Sequence, residues 1–303
     1  MEISIIIVNY NTLKYIKEAI NSIIEKTIDI TYEIIIIDNN SNDNISELEI
    51  LKIPNLKLIK SKENLGFGKA NNKASQIALG KKLFFLNPDT YLLNNAIKIL
   101  SDYLDNNQDA GIVGANLYNA DLKPNLSYEM IYPSIFMDIS GAIKNTTNVS
   151  LTKILYGKND TFNNSNNPKE VAYITGANIM ILKSLYNEIN GFNPIFFMYC
   201  EDTDLSYRVK KAGYRITNIP QAKIVHLEGK SSKFQEKKKE LFYEGRRIYF
   251  QCHYSHIYYI CANLIICVLL TIAILLNIFN NINKNRYLKQ LKIFYRINFK
   301  SKN

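Results

Sequence analysis

The feature that most constrains the fold is a series of short, nearly continuous runs of β-branched and aliphatic residues, each followed by a segment with helical periodicity. Residues 3–8 form the first run, which is typical of a strand buried on both faces. Apolar residues then recur at helical spacing over 13–24. The same alternation predicts strands at 32–37, 55–60, 82–86 and 111–115, with helices at 64–80 and 94–106. It predicts an α/β fold in which helices cover both faces of a mostly parallel central sheet.

Polar residues follow three of the predicted strands at the point where each strand ends. They are Asn9 with Asn11, the run 38–43 and the run 87–89. In open parallel sheets, ligands bind at the carboxyl ends of the strands, where the strand order reverses. One polar cluster is expected by chance because turns are polar, but three, two of which contain acids, favour a binding site.

The second half of the chain is less regular. Residues 116–170 are rich in Asn, Ser, Thr and Tyr, and 159–168 predict a flexible loop. Strands are expected at 171–181, 214–219 and 223–227, and a helix is expected at 183–189. His226 lies at the end of the last of these strands. The segment with Gly66 and Gly68 has no third glycine and no Gly-Lys-Ser/Thr sequence, both of which known phosphate-binding loops use. Neither a dinucleotide-binding fingerprint nor a P-loop is therefore predicted.

Three carboxylates, Glu201, Asp202 and Asp204, lie within four residues after an aromatic run. A helix that begins at Glu201 would hold them in its first turn, where the helix dipole favours acids. Asp204 would then lie one turn before Arg208, within ion-pair reach. Glu201 and Asp202 would be left to face a site, where one could act as a general base. These residues alone leave open an ordinary acidic first turn.

Positive charge is concentrated near the C-terminus of this 303-residue chain, whose net charge is +10. Residues 230–250 hold seven Lys/Arg against three acids, and 281–303 hold seven Lys/Arg and no acid. Between these blocks, the apolar segment 257–279 is long enough, at ~1.5 Å per residue, to cross a ~30 Å hydrocarbon core. This arrangement favours anionic membrane lipids, and not nucleic acid, as a partner.

Two modes of membrane association stay open. Residues 284–300 interleave Lys/Arg with apolar residues, as a basic amphipathic helix at a membrane interface does. If 257–279 crossed the membrane once, the cations after residue 281 would lie outside, against the positive-inside rule. A helix that is embedded without crossing avoids this conflict. The four cysteines show no metal-binding or disulfide spacing, and we interpret them as reduced.

An ordered set of motifs resembles the inverting GT-A glycosyltransferases of family 2, especially their rhamnosyltransferase-like bacterial branch. The motifs are 4–11, 37–43, 64–72, 86–89, 175–177 with 191–193, and 197–208, followed by His226. Each motif is weak alone, but the ordered set is specific. The resemblance implies a GT-A domain at 1–230, with a nucleotide-binding half at about 1–115 and an acceptor half at about 116–230. Residues 231–303 would then form a membrane-association region.

The resemblance also implies roles for individual residues. The implied donor-binding residues are Asn9, Asn11, Asp38, Asn39, Ser41, Asp43, Asn64, Gly66, Phe67, Lys69, Asn72 and Asn87. Asp89 stands where the family has the last acid of its Asp-X-Asp motif, and Asn87 replaces the first. With His226, Asp89 would bind Mg²⁺ or Mn²⁺ against the donor diphosphate.

Asp202 matches the family's general base, which takes the proton of the acceptor hydroxyl in a single inverting displacement. Glu201, Gly176 and Ala177 would bind the acceptor. The implied reaction moves a sugar from dTDP-rhamnose or a UDP-sugar to a hydroxyl of a lipid-linked, cell-surface glycan precursor, at the cytoplasmic face of the cell membrane. Two alternatives stay open: a non-catalytic, membrane-anchored nucleotide-sugar-binding or scaffold relative, and a polyprenyl-phosphate glycosyltransferase.

Overall fold

The structure is a computed structural model that describes residues 1–50, 52–147, 161–227 and 235–299. Part of the loop predicted at 159–168 and part of the basic block at 230–250 lie outside the described residues. The chain divides into two compact units. The first comprises Met1–Met130, Asp160–Phe197 and Glu201–Lys233, and the second comprises Ile131–Asn159, Met198–Cys200 and Phe234–Asn303.

The first unit is built on a nine-stranded mixed sheet. Its strands are β1 Ile3–Asn9, β2 Tyr32–Asp38, β3 Leu56–Lys60, β4 Lys82–Leu86, β5 Thr90–Leu92, β6 Ala110–Tyr118, β8 Lys169–Glu170, β10 Asn178–Leu182 and β11 Arg215–His226. A separate two-stranded sheet pairs β7, Tyr128–Glu129, with β9, Tyr173–Ile174. The helices of this unit are α1 Leu13–Lys26, α2 Glu47–Ile50, α3 Phe67–Ser75, α4 Ala96–Asn106, α6 Lys183–Glu188 and α7 Glu201–Lys211.

The main sheet has the order β3-β2-β1-β4-β10-β6-β11-β5, and β8 pairs with β11. Neighbours from β3 to β4 are parallel, as are β6 and β11, whereas β10 runs antiparallel between β4 and β6. The predicted mixed α/β fold with a mostly parallel central sheet is therefore confirmed.

Two apolar cores lie on opposite faces of this sheet because alternate side chains of each buried strand point to opposite faces. On one face, Ile5 and Ile7 of β1 pack with Ile20 of α1 and Leu100 of α4. The second core contains Ile6 of β1 and the α7 residues Leu205 and Val209. All of these side chains are essentially buried. Each such burial contributes about 1.5–3 kcal/mol.

The structure changes several predicted elements of the first unit. The strand predicted at 171–181 is divided into β9 and β10, which belong to different sheets. The strands predicted at 214–219 and 223–227 are one strand, β11, whose register against β6 shifts between Ile219 and Lys223. Pro220 lies in this interval, and proline supplies no N–H to a sheet ladder. The helix predicted at 64–80 is shorter, since α3 begins only after Gly66 and ends at Ser75. The three-residue strand β5 was not predicted.

The second unit consists mainly of four helices, α5 Ile135–Thr147, α8 Gln235–His253, α9 His256–Leu276 and α10 Asn281–Phe299. Residues 131–147 and 198–200 belong to it, although the sequence placed them in the first domain. Its buried Arg246 pairs with Asp138, donates to Asn263 and lies 4.1 Å from the ring centroid of Phe250. The predicted apolar helix at 257–279 is confirmed as α9, which among the described residues is the one helix long and apolar enough to cross a membrane.

Candidate active site

Asn9 organises the carboxyl ends of β1 and β2. The two strands pair in register, so that Asn9 lies opposite Asp38. The Asn9 amide donates to Asp38 Oδ1 at 2.7 Å and to Ser41 Oγ at 3.1 Å. Ser41 Oγ also accepts from the Asn11 backbone N–H at 2.9 Å. The predicted polar residues of these two strand ends therefore form one hydrogen-bonded cluster.

Asn39 connects this cluster to the turn before α3. Its amide donates to Gly66 O at 2.9 Å and to Asn64 Oδ1 at 3.2 Å, and its oxygen accepts from Leu65 N at 3.3 Å. Gly66 has a φ of 78°, and a Cβ there would lie 2.2 Å from Phe197 O. Only glycine fits this close approach without displacing the backbone. Phe67 follows and donates its N–H to the same carbonyl at 3.0 Å.

Two of the implied donor-binding residues have other contacts, and a third is exposed. Asp43 Oδ2 accepts from the N–H of Leu13, the first residue of α1, at 2.9 Å, and therefore caps that helix. The Asn72 amide binds both the N–H and the carbonyl of Phe192, at 3.0 and 2.7 Å. Asn72 thus fixes the turn at 191–192. Lys69 is exposed on α3.

Asn87, Asp89 and His226 converge at the end of β4. In the β5–β11 ladder, Thr90 lies opposite His226, and Leu227 N donates to Asp89 O at 2.9 Å. As a result, His226 Nε2 lies 3.3 Å from Asp89 Oδ1 and 3.4 Å from Asn87 Nδ2. Asp89 is buried, at 5% exposure. The implied metal ligands are therefore adjacent although the sequence separates them widely.

This donor set fits a divalent cation that is shared with a substrate. Mg²⁺ is usually held by one or two carboxylates together with substrate phosphates and water. Asp89 supplies one carboxylate and His226 one imidazole, whereas no group of three His, Cys, Asp or Glu within the described ranges could hold an ion alone. The remaining positions would belong to the donor diphosphate.

Asp202 lies in the first turn of α7 and accepts three hydrogen bonds. Its Oδ2 accepts from Gly176 N at 2.8 Å, and its Oδ1 accepts from the backbone N–H of Thr203 at 2.7 Å and the Thr203 hydroxyl at 3.1 Å. Burial raises the pKa of Asp202, while these donors oppose the rise. Such a fixed and partly desolvated carboxylate is suited to accept a proton.

Glu201 differs from its neighbour because its side chain is almost fully buried, at 5% exposure. Burial raises its pKa to about 8, and the Asp202 carboxylate adds to this shift. Glu201 Oε2 has no hydrogen-bond partner among the residues that the structure describes. Burial therefore favours the protonated form of Glu201 near neutral pH.

A short segment before β10 joins the two halves of the site. Gly176 N donates to Asp202, and the next residue, Ala177, accepts through its carbonyl from Asn87 N at 3.0 Å. The antiparallel pairing of β10 with β4 places this segment at the carboxyl end of β4. Gly176 and Ala177 therefore connect the candidate base to the turn that carries Asp89.

The predicted ion pair of Asp204 with Arg208 is confirmed, at 2.8 Å. Arg208 also donates to the carbonyls of Ile189 and Gly191 at 2.6 and 2.7 Å, so the pair fixes α7 against the turn that Asn72 holds. Sequence reasoning missed Thr203, whose N–H and hydroxyl orient Asp202. A threonine directly after an acid at a helix start is the signal that could have found it.

Comparison with known proteins agrees with this geometry. The profile of the family described as "Glycosyl transferase family 2" matches residues 4–189, and that of "Glycosyl transferase family group 2" matches 125–283. N-acetylglucosaminyl-diphospho-decaprenol L-rhamnosyltransferase of Mycobacterium tuberculosis is 24% identical over 217 residues, which cover 66% of this chain and 67% of that protein. Rhamnosyltransferase WbbL of Escherichia coli K12 is 25% identical over 236 residues, which cover 73% of this chain and 82% of that protein.

Solved structures share the fold. A mannosyltransferase of Pyrobaculum calidifontis, PcManGT, in complex with GDP-Man and Mn²⁺, superposes with a TM-score of 0.60 at 14% identity over 98% of this chain and 87% of that chain. GalNAc-T7 with UDP, GalNAc and Mn²⁺ gives a TM-score of 0.63 at 16% identity over 83% of this chain, but only about half, 48%, of that longer chain.

The predicted GT-A-like architecture is confirmed by these structural neighbours. The predicted relationship to rhamnosyltransferases is confirmed by the curated relatives. The family profile spans more than half of the chain and covers β1 through β10. The chain therefore belongs to glycosyl transferase family 2, beside relatives of the rhamnosyltransferase-like branch.

Proposed function

We propose that this glycosyltransferase moves a sugar, with inversion, from a nucleotide-diphosphate donor to a hydroxyl of a lipid-linked precursor of a cell-surface glycan. The donor would be dTDP-rhamnose or a UDP-sugar. The observation that carries the proposal is the segment Gly176–Ala177, which hydrogen-bonds both the candidate base Asp202 and the Asn87 turn beside Asp89. The curated relatives that are rhamnosyltransferases support the choice of donor and acceptor class.

The nucleotide would bind at the carboxyl ends of β1 and β2, in the half formed by about residues 1–115. Asp38 and Asn39 are buried at these ends, and the turn at Asn64–Gly66 closes beside them. Asn11, Ser41, Phe67 and Lys69 would line the rest of the donor pocket. Asp43 and Asn72 would contribute indirectly, since their side chains are engaged with Leu13 and Phe192.

Asp89 and His226 would hold Mg²⁺ or Mn²⁺. Such an ion offsets the charge that develops on the departing diphosphate. Asn87 would bind the donor beside it, and its backbone N–H already anchors the turn through Ala177. Solved neighbours that contain Mn²⁺ support this assignment.

Asp202 would act as the general base. As the acceptor oxygen forms a bond with the anomeric carbon, Asp202 takes the hydroxyl proton and the bond from that carbon to the diphosphate oxygen breaks, with its electron pair leaving on the diphosphate. Attack from the face opposite the leaving group inverts the centre. Glu201, Gly176 and Ala177 would position the acceptor, in the half formed by about residues 116–230.

The region 231–303 would bind anionic membrane lipids at the cytoplasmic face of the cell membrane. Nucleotide sugars are made in the cytosol, and a lipid-linked acceptor is confined to the membrane. The apolar helix α9 and the cationic helix α10 support this assignment.

Calorimetric titration of the full-length protein with UDP and with dTDP, in Mn²⁺ and after chelation, tests the donor site. Metal-dependent binding of one nucleotide would identify its base. A folded protein that binds neither nucleotide would contradict the proposal. For the reaction itself, the anomeric configuration of the transferred sugar in the product distinguishes inversion from retention.

A further inference from the structure

One face of α9 is apolar and exposed along the length of the helix. The exposed positions recur at intervals of three and four residues, and their side chains are 42–74% exposed: Ile257, Ile260, Leu264, Val268, Ile272 and Leu275. We call this set the α9 stripe. At ~1.5 Å per residue it extends for ~27 Å. Contiguous apolar surface of this kind marks an interaction site.

The opposite face of α9 is fixed to its own unit by apolar and polar contacts. Ala262, Asn263 and Ile266 are buried there. Asn263 Oδ1 accepts from the guanidinium of Arg246, which also pairs with Asp138. If α9 crossed a membrane while packed in this way, it would carry this buried ion pair with it.

Helix α10 lies antiparallel along α9 over its whole length. Near the start of α9, the Tyr259 hydroxyl donates to Asn298 Oδ1 at 3.3 Å. Just beyond its end, Asn283 Nδ2 donates to Asn277 Oδ1 at 3.3 Å. Residues 281–299 contain five Lys/Arg and no acid. A crossing by α9 would therefore draw these cations into the hydrocarbon, where charged side chains are strongly disfavoured.

The cations of α10 are arranged to contact an anionic surface. Lys289, Lys292 and Arg296 recur at intervals of three and four residues and are exposed on one face of the helix. Arg296 also pairs with Glu240. An apolar stripe on one helix and exposed cations on the helix packed against it suit a bilayer whose head groups are anionic, because apolar side chains enter the acyl region while cations stay at head-group level.

We propose that the second unit binds the surface of an anionic membrane through the α9 stripe and the α10 cations, and that α9 lies in one leaflet without crossing the bilayer. This inference deepens the proposed function, on whose lipid-linked acceptor it rests. It chooses between the two modes of association that the sequence leaves open.

Flotation of the full-length protein with vesicles tests whether the α9 stripe and the α10 cations bind lipid. We expect binding to mixed phosphatidylcholine–phosphatidylglycerol vesicles, weaker binding to phosphatidylcholine alone, and release by salt. The double variant Leu264→Gln/Val268→Gln should partition about tenfold less. The matched control Ile77→Gln/Leu79→Gln changes exposed apolar residues of the first unit and should bind like the wild type. Equal partitioning of both double variants would overturn the assignment of the stripe.

Thiol labelling tests whether α9 crosses. Cys252 is exposed just before α9, and Asn280 is exposed just after it. In a protein whose other cysteines are replaced by alanine, an impermeant maleimide added outside sealed vesicles should label both Cys252 and the thiol of Asn280→Cys. Labelling of only one of these two sites in membrane-bound protein would mean that α9 crosses, and would overturn the inference.

Two readouts separate this inference from the proposed function and from self-association. UDP or dTDP binding by Leu264→Gln/Val268→Gln should equal that of the wild type, so a failure of vesicle binding and a failure of nucleotide binding are distinct results. The mass of the lipid-free protein should be the same for wild type and variant. A dimer that the variant dissociates, without any change in vesicle binding, would assign the stripe to a second copy of the chain.

Discussion

Asp202 Oδ2 accepts a 2.8 Å hydrogen bond from the backbone N–H of Gly176. This bond joins the first turn of α7 to the segment that enters β10, and the next residue of that segment holds the Asn87 turn. The candidate base is therefore fixed with respect to the backbone beside the candidate metal ligands. A carboxylate fixed in this way loses little freedom when it takes up a proton.

Substitution Asp202→Asn should lower kcat by about 10²–10⁴-fold while leaving nucleotide affinity unchanged, because the amide cannot accept the hydroxyl proton. Steady-state transfer assays and nucleotide titration measure the two effects. Thr203→Val is the matched control, since it removes one hydroxyl contact to Asp202 but keeps the carboxylate and the Thr203 N–H. Turnover by Asp202→Asn at the level of this control would exclude Asp202 as the base.

Glu201 should make the protein less stable as pH rises. Its pKa is about 8 in the folded protein and close to 4.5 when unfolded, so between these values the folded state holds a proton that the unfolded state has lost. The free energy of unfolding therefore falls with pH across this window, by up to ~5 kcal/mol for this group. Urea unfolding of Glu201→Gln should show a flatter pH profile and, at neutral pH, higher stability than the wild type.

The exposed residue Glu188 supplies the control for this experiment. Glu188→Gln should follow the wild-type profile throughout. Because Glu201 is protonated near neutral pH, Glu201→Gln should also retain measurable transfer, unlike Asp202→Asn. Parallel pH profiles for Glu201→Gln and the wild type would show that Glu201 does not carry the extra proton.

Substitution Asp89→Asn should abolish the strengthening of nucleotide-diphosphate binding by Mn²⁺, a loss of at least about tenfold in affinity. Binding after chelation should be unchanged, because the proposed nucleoside pocket is at other strand ends. His226→Gln should act in the same direction, since His226 Nε2 lies 3.3 Å from Asp89 Oδ1. Asp121→Asn, at an exposed carboxylate, is the control. A metal effect that survives in Asp89→Asn would remove this residue from the ion site.

Substitution Gly66→Ala should destabilise the first unit by ~1–3 kcal/mol or more, because the new Cβ meets Phe197 O in a left-handed backbone. Donor affinity should fall with it, since Asn39 and Asn64 both bind this turn. Gly141→Ala is the control, because its Cβ would meet open space within α5. That helical replacement should stabilise by ~0.5–1 kcal/mol. Equal melting temperatures for the two variants would contradict this view of Gly66.

The parallel strands were predictable because isoleucine-rich runs such as residues 3–8 are typical of strands buried on both faces. The strand β5 was not, since three residues carry no periodicity. Asn72 could not be assigned to its turn because its partner, Phe192, is 120 residues away. The high pKa of Glu201 comes from burial, which only the fold creates. Local pattern therefore predicted the elements, whereas contacts between distant segments determined which polar residues serve the site and which serve the fold.

The reversed direction of β10 has a consequence for how such an enzyme can change its acceptor. Strand β6 ends, and β10 begins, at the same edge of the sheet, because the two strands are antiparallel. The chain between Tyr118 and Asn178 thus leaves the sheet and re-enters it at the edge where β4 ends. Evolution can lengthen, shorten or replace that excursion without reordering a strand or altering β1 to β4. If this segment lines the acceptor side of the site, as proposed, acceptor preference can diverge among relatives whose β1 to β4 stay the same.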